Sequence, residues 1–356
     1  FFKKNEMNLL VGPGRAAVGT WYTYLASKAG MYYSNAGTAS PHWLQAEQAR
    51  WPSYDLAALY LLDGSSADIV RIEPVTPNTN TGFRITTKFT SNSTDPTLPA
   101  WWREVNETVY ALRDNGLWRL SNSLARTTAA WKHDTIKNIE YVHRVDYPFN
   151  RGRAERAAAF VDSLTEIFGV PPIDQLSYYL FNTLDDAYAT IGLESSVKYG
   201  PVAGMSQPIN HLLFSGMPSL GEEYRHELAH MVFMPLMGNG TSTFISEGVP
   251  TFFGGTSGMD YPTAVRGLAS WLREHPQVTL DSLMGPGYSN AQTYPAAAVV
   301  AEMINDVGGR HGLKLLFDSG RSATELREGL QRISRIGWSQ FQQDWRARAF
   351  RYDKKQ

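Results

Sequence analysis

Two histidines four positions apart, with a glutamate directly after the first, form the segment His226-Glu227-Leu228-Ala229-His230. On a helix, positions i and i+4 share a face, so both imidazoles point at one ion, and Glu227 is set to take a proton from a water beside it. The apolar neighbours Met231, Val232 and Phe233 predict a helix buried on most sides. A catalytic zinc ordinarily has three protein ligands and one open position. The chain has no cysteine, so any metal site must be built from His, Asp and Glu. Glu247 is the candidate third ligand. It stands 17 positions after His230 (247 − 230), which leaves room for one helix to end, Gly238-Asn239-Gly240 to turn, and a second helix to begin. A glutamate near a helix start is also stabilised by the helix dipole alone, and histidines four apart also occur as surface or packed residues. The two elements together, at this distance, favour the metal reading.

Those side chains need a scaffold, and the chain reads as α+β in two parts. Residues 15–33 carry Val18, Trp21, Tyr22, Leu25 and Ala29 at helical spacing, and a shorter helix follows over 42–50. Strand patterns then cover 67–75, 82–90 and 101–112, and Asp114-Asn115-Gly116 is a hairpin turn leading into a partner strand at 117–120. A polar, irregular stretch over 121–137 reads as the connection. This divides the chain into units of 1–125 and 139–356 joined by 126–138. In the second unit, strands are expected at 139–145, 176–181 and 209–214, and a helix at 151–168 is stopped by Gly169 and Pro171-Pro172. Beyond Glu222 helices dominate. Ser322 with Glu325 forms a capping box for a helix over 323–333, and a last helix covers 338–350.

Composition narrows the class of function. A formal net charge of −1, with Lys and Arg scattered, gives no reason to expect nucleic acid or an anionic membrane as partner. The longest strongly apolar run, 296–301, is too short to span a bilayer. The lack of cysteine fits an extracytoplasmic, secreted or periplasmic bacterial protein, and a start at Phe1 is expected either of a removed signal peptide or of a sequence cut from a longer one.

HELAH followed by SEGVPTFFGG resembles the gluzincin branch of zinc metallopeptidases, in particular its peptidase-MA-like and aminopeptidase-N-like groups. There H-E-x-x-H is followed by an (N/S)-E-G-x-A-type segment. The resemblance spans about residues 139–350. It implies one Zn2+ per chain bound by His226, His230 and Glu247, Glu227 as general base, and hydrolysis of a peptide or protein substrate. Pro250 stands where Ala is usual and is read as a first-turn variation. Residues 293–304 resemble the family's Tyr-initiated helix, which implies an oxyanion role for Tyr294, with Tyr288 as the fallback; a packed tyrosine accounts for either equally well. Residues 200–214 resemble the sheet edge that pairs with extended substrate. Aminopeptidase relatives carry a Glu in that region. None occurs between Glu194 and Glu222, which points to an endopeptidase or an unusual exopeptidase. Residues 10–125, through the opening aromatic helix and the closing hairpin VYALRDNGLWRL, resemble the cystatin-like cone of the nuclear-transport-factor-2-like superfamily, a scaffold or an accessory pocket.

Glu222 or Glu223, one turn before His226, is expected to orient a ligand imidazole, and a surface carboxylate accounts for either as well. The rival reading is a non-catalytic binding protein on a peptidase scaffold, with the N-terminal cone as its ligand site. The presence of Glu227 beside all three candidate ligands argues against it.

Overall fold

A computed structural model describes residues 12–27, 38–57, 66–76, 81–91, 104–194, 204–238 and 240–353. The end of the first expected helix (28–33), the start of the expected strand at 101–103, residues 200–203 and Asn239 lie outside them.

The chain opens with helices α1 (Pro13–Ser27) and α2 (Gln45–Arg50) against an antiparallel sheet. Its strands are β1 (Ser66–Pro74), β2 (Gly82–Thr90), β3 (Glu104–Asp114) and β4 (Leu117–Asn122), in that spatial order. The β3–β4 turn has positive φ at both Asn115 (49°) and Gly116 (81°), the primed geometry that matches strand twist. Trp21 of α1 is fully buried and donates to Thr87 of β2 at 2.8 Å.

Next come α3 (Ser123–Thr127), β5 (Lys132–Ile136), β6 (Ile139–His143), α4 (Arg151–Phe168), β7 (Leu176–Leu180) and α5 (Leu184–Thr190). The interval expected as an irregular connection therefore contains a helix and a strand. Its polarity has a plain cause: β5 is a sheet edge whose residues, apart from Ile136, are exposed or half-exposed. The helix expected at 151–168 is α4. Asn150 caps its start by accepting from Arg153 N, and Gly169 ends it in the left-handed region (φ 55°, ψ 38°).

The two-residue strand β8 (Leu193–Glu194) returns to pair with β3. The strand expected at 209–214 is a hairpin instead. Strands β9 (Gly204–Gln207) and β10 (Leu212–Ser215) are joined through a 3-10 turn at Pro208–Asn210, and His211 takes the left-handed conformation (φ 50°). The second sheet runs β5-β6-β7-β10-β9, parallel at its centre and antiparallel at both edges.

Strands β7 and β10 at the centre of this sheet are buried on both faces. Ile139, Tyr141, Tyr178, Leu180 and Leu213 join a core with α4 and the helices that follow, while Val142, Tyr179, Phe181, Leu212 and Phe214 join the core of the N-terminal sheet and helices. The helical half comprises α6 (Arg225–Phe233), α7 (Thr243–Gly254), α8 (Tyr261–Glu274), α9 (Leu280–Met284), α10 (Asn290–Phe317, broken at Gly309), α11 (Ala323–Ser334) and α12 (Trp338–Arg351). The capping box of Ser322 and Glu325 is formed at the start of α11. Among the described residues, no helix is long and apolar enough to cross a membrane.

Candidate metal centre

Helix α6 carries the H-E-x-x-H segment and is buried on nearly every side. Its start is held by β7. The Tyr178 hydroxyl donates to the Gly221 carbonyl at 2.6 Å and accepts from Tyr224 N at 3.1 Å, so it satisfies an amide at the helix entry. Phe168 of α4 packs edge-on against Phe233 at the other end, with ring centroids 4.7 Å apart.

Helix α7 begins earlier than the sequence implied. Ser242 is its N-cap, accepting from Ile245 N, so Glu247 lies in the second turn and Pro250 lies inside the helix rather than in its first turn. A proline there costs about 3 kcal/mol relative to alanine. Burial of Phe244, Ile245, Val249 and Pro250 itself in the helical core offsets that cost.

Close approach, rather than side-chain bulk, sets the spacing of α6, α7 and α10. A Cβ on Gly254 would lie 2.6 Å from Arg225 C and His226 N, so the end of α7 touches the backbone at the start of α6. A Cβ on Gly248 would lie 2.4 Å from Ala297 Cβ, so α7 touches α10 one residue after Glu247 and one turn after Tyr294. The ligand-bearing helices and the tyrosine helix are thereby pressed together.

The result is a tight triangle. His226 Nε2 lies 3.2 Å from Glu247 Oε2 and 3.1 Å from His230 Nε2, and His230 Nε2 lies 3.3 Å from the same carboxylate oxygen. His226 Nδ1 lies 2.8 Å from the Gly255 carbonyl. A carbonyl only accepts, so Nδ1 donates to it, and Nε2 is directed toward the other two groups. Three atoms that can each bind a metal ion converge on one point. A tetrahedral zinc with bonds of about 2.0–2.1 Å to N and O sets its ligand atoms about 3.3 Å apart, so the donor set and its spacing fit the ion. Electrostatics agree. Burial opposes charge on His230, but Glu247 outweighs it and raises that imidazole; burial likewise opposes charge on Glu247, but His230 and His226 hold its carboxyl well below the usual range.

Glu227 is buried, and among the described residues no hydrogen bond or ion pair holds its carboxylate. Tyr294 stacks on His226 with centroids 5.7 Å apart and planes 7° from parallel. Tyr288 is elsewhere, edge-on to Trp271 at 5.8 Å. Of the two tyrosines singled out in the sequence, only Tyr294 meets the triangle. Glu222 and Glu223 do not support the imidazoles: Glu222 accepts from Asn150 N at 2.7 Å, and Glu223 pairs with Arg156 and Arg225. That support comes from Gly255 instead. Tyr224 was not foreseen either. It covers the other side of His226 at 6.2 Å. Burial, together with Glu227 and Glu247, pushes the hydroxyls of Tyr224 and Tyr294 up, so both stay protonated and able to donate. A tyrosine two residues before H-E-x-x-H has no periodic signal to mark it.

No protein-family model matches the chain, and no curated protein is detectably similar to it. His226, His230 and Glu247 are a group able to hold a metal ion on the chemistry of their own atoms.

Proposed function

We propose that the chain is a zinc-dependent peptidase of the gluzincin type, acting as an endopeptidase. The observation that carries this is the triangle of His226 Nε2, His230 Nε2 and Glu247 Oε2 at 3.1–3.3 Å, with Glu227, whose carboxylate has no hydrogen-bond or ion-pair partner among the described residues, on the helix of the two histidines. When bound, zinc supplies a Lewis acid that polarises the scissile carbonyl and lowers the pKa of water toward neutrality. Glu227 accepts the proton from the attacking water and passes it to the leaving amine. Tyr294 donates its hydroxyl proton in a hydrogen bond to the oxyanion.

Strand β9 supports substrate binding along the sheet. It is an edge, and no described strand pairs with its outer side, so an extended peptide can add there through main-chain hydrogen bonds. No glutamate of β9, β10 or their connection is available to hold a free amino terminus, which favours internal cleavage. The N-terminal sheet and helices, proposed as a cystatin-like cone, act as support for the catalytic sheet.

The test is elemental analysis of the purified protein beside a His230→Ala variant, followed by hydrolysis of an unfolded protein with and without chelator. About one zinc per chain, lost in the variant, with chelator-sensitive cleavage, is the expected result. Protein that takes up no added zinc would remove the reading. Zinc-loaded protein that cleaves nothing would make the site a structural one.

A further inference from the structure

The last glycine of SEGVPTFFGG, whose carbonyl meets His226, has an unusual backbone geometry. Gly255 sits at φ 75° and ψ −164°, a region essentially reserved for glycine. Helix termination alone does not require it. A helix ended by a left-handed glycine looks like Gly169, at φ 55° and ψ 38°. A Cβ at Gly255 would lie 2.1 Å from the Met259 carbonyl oxygen, so no other residue fits without moving the loop.

The loop is tied at both ends and across its middle. Gly255 N donates to Thr251 O at 2.9 Å, which fixes it to α7. Thr256 N donates to Met259 O at 2.9 Å, and Met259 N to Thr256 O at 2.8 Å, around a turn with positive φ at Ser257 (50°) and Gly258 (80°). Asp260 then caps α8 by accepting from Thr263 N at 2.9 Å. What this rigid unit presents to the interior is the Gly255 carbonyl, 2.8 Å from the buried Nδ1 of His226.

We propose that residues 254–260 are the positioning device of the metal centre: the glycine-only conformation of Gly255 aims its carbonyl at His226 and so fixes the tautomer that offers Nε2 as a ligand. The proposal rests on reading the site as a metal centre. It makes α7 responsible for two ligands, Glu247 directly and His226 through the carbonyl eight residues later. Unlike a supporting carboxylate, a carbonyl has no proton to gain. Metal-supporting partners of this kind are worth about 10–100-fold in affinity.

The test reads the tautomer in metal-free protein with 15N-labelled histidine, in mildly alkaline buffer, with the His226 signals assigned by their loss in His226→Ala. The expected result is a protonated Nδ1 and a bare Nε2. A predominant Nε2–H form in the wild type would overturn the device, and this readout needs no variant to fold. In Gly255→Ala, retained far-UV circular dichroism with zinc affinity weakened about 10–100-fold and a mixed tautomer is expected. Folded Gly255→Ala with wild-type affinity would overturn the proposal. If that variant does not fold, Gly258→Ala strains only the turn, its Cβ having 3.5 Å to the nearest Leu220 atom; a smaller loss in the same direction is expected, and none would count against the device. Wild-type protein that binds no zinc marks failure of the metal-centre reading itself, separate from these outcomes.

Discussion

Glu227 differs from the three residues beside it in having no partner to hold its carboxylate among the described residues, and that isolation makes its role separable from theirs. Glu227→Gln keeps the shape but cannot accept a proton. It is expected to retain zinc and to lose about 10²–10⁴-fold in kcat; full activity in that variant would remove Glu227 as the base. Tyr294→Phe keeps the ring stacked on His226 and deletes one donor. A loss of about 10²–10³-fold in kcat is expected, with zinc content unchanged and Tyr288→Phe as a silent control. A third residue, far from the metal, titrates in a readable way. Glu47 of α2 is buried and accepts from the Ser121 hydroxyl and from Asn122 N (2.8 Å) and Nδ2 (2.7 Å). Burial still raises its pKa despite these bonds. A raised carboxylate binds its proton more tightly folded than unfolded, so its contribution to stability falls as pH rises through the unfolded pKa toward the folded one. Relative to wild type, Glu47→Gln should therefore become less destabilising across that window in urea titrations. A pH-independent difference would mean that Glu47 titrates normally.

At the scale of elements, the glycine contacts carry the consequences. Gly248→Ala places a methyl 2.4 Å from Ala297 Cβ and 2.8 Å from its carbonyl carbon, so α7 and α10 must separate. A destabilisation of about 1–3 kcal/mol is expected, together with a fall in kcat as Tyr294 withdraws, while zinc, held by α6 and α7, is kept. Pairing the change with Ala297→Gly should recover part of both losses; no recovery would show that the contact is not what limits the site. This contact also marks how far the sequence could be read. Helices α4 and α11 were legible because their end signals are local: Gly169 as the stop of one, Ser322 and Glu325 as the capping box of the other. The triangle was legible because i, i+4 spacing puts two ligands on one face of one helix. The start of α7 was not, because Pro250 argues for a first turn while packing keeps it inside the helix. Gly255 and Tyr224 were not, because their roles exist only where elements meet; Gly255 is 29 positions from His226. Strand β5 was hidden by the polarity proper to an exposed edge.

For the whole molecule, the decisive feature is a sheet shared between two cores. Val142, Tyr179, Phe181, Leu212 and Phe214 are buried against the N-terminal sheet and helices. Exposing five such side chains costs on the order of 10 kcal/mol at about 1.5–3 kcal/mol each, comparable with the whole stability of a typical domain. A fragment of residues 126–356 is therefore expected to lose its near-ultraviolet circular dichroism, and co-expression with residues 1–125 to restore it. A fragment that folds cooperatively alone would show that the N-terminal part is dispensable to the sheet. The arrangement also has a direction in time. Chains leave the ribosome amino end first, so the surface that covers Tyr179 and Phe214 is made before the strands that need it, and the sheet meets its cover as it emerges. The ligands on α6 and α7 come later still. Moving the N-terminal sheet and helices to the carboxyl end would reverse that order, and would expose an uncovered apolar sheet to the cell for as long as the remainder takes to be translated.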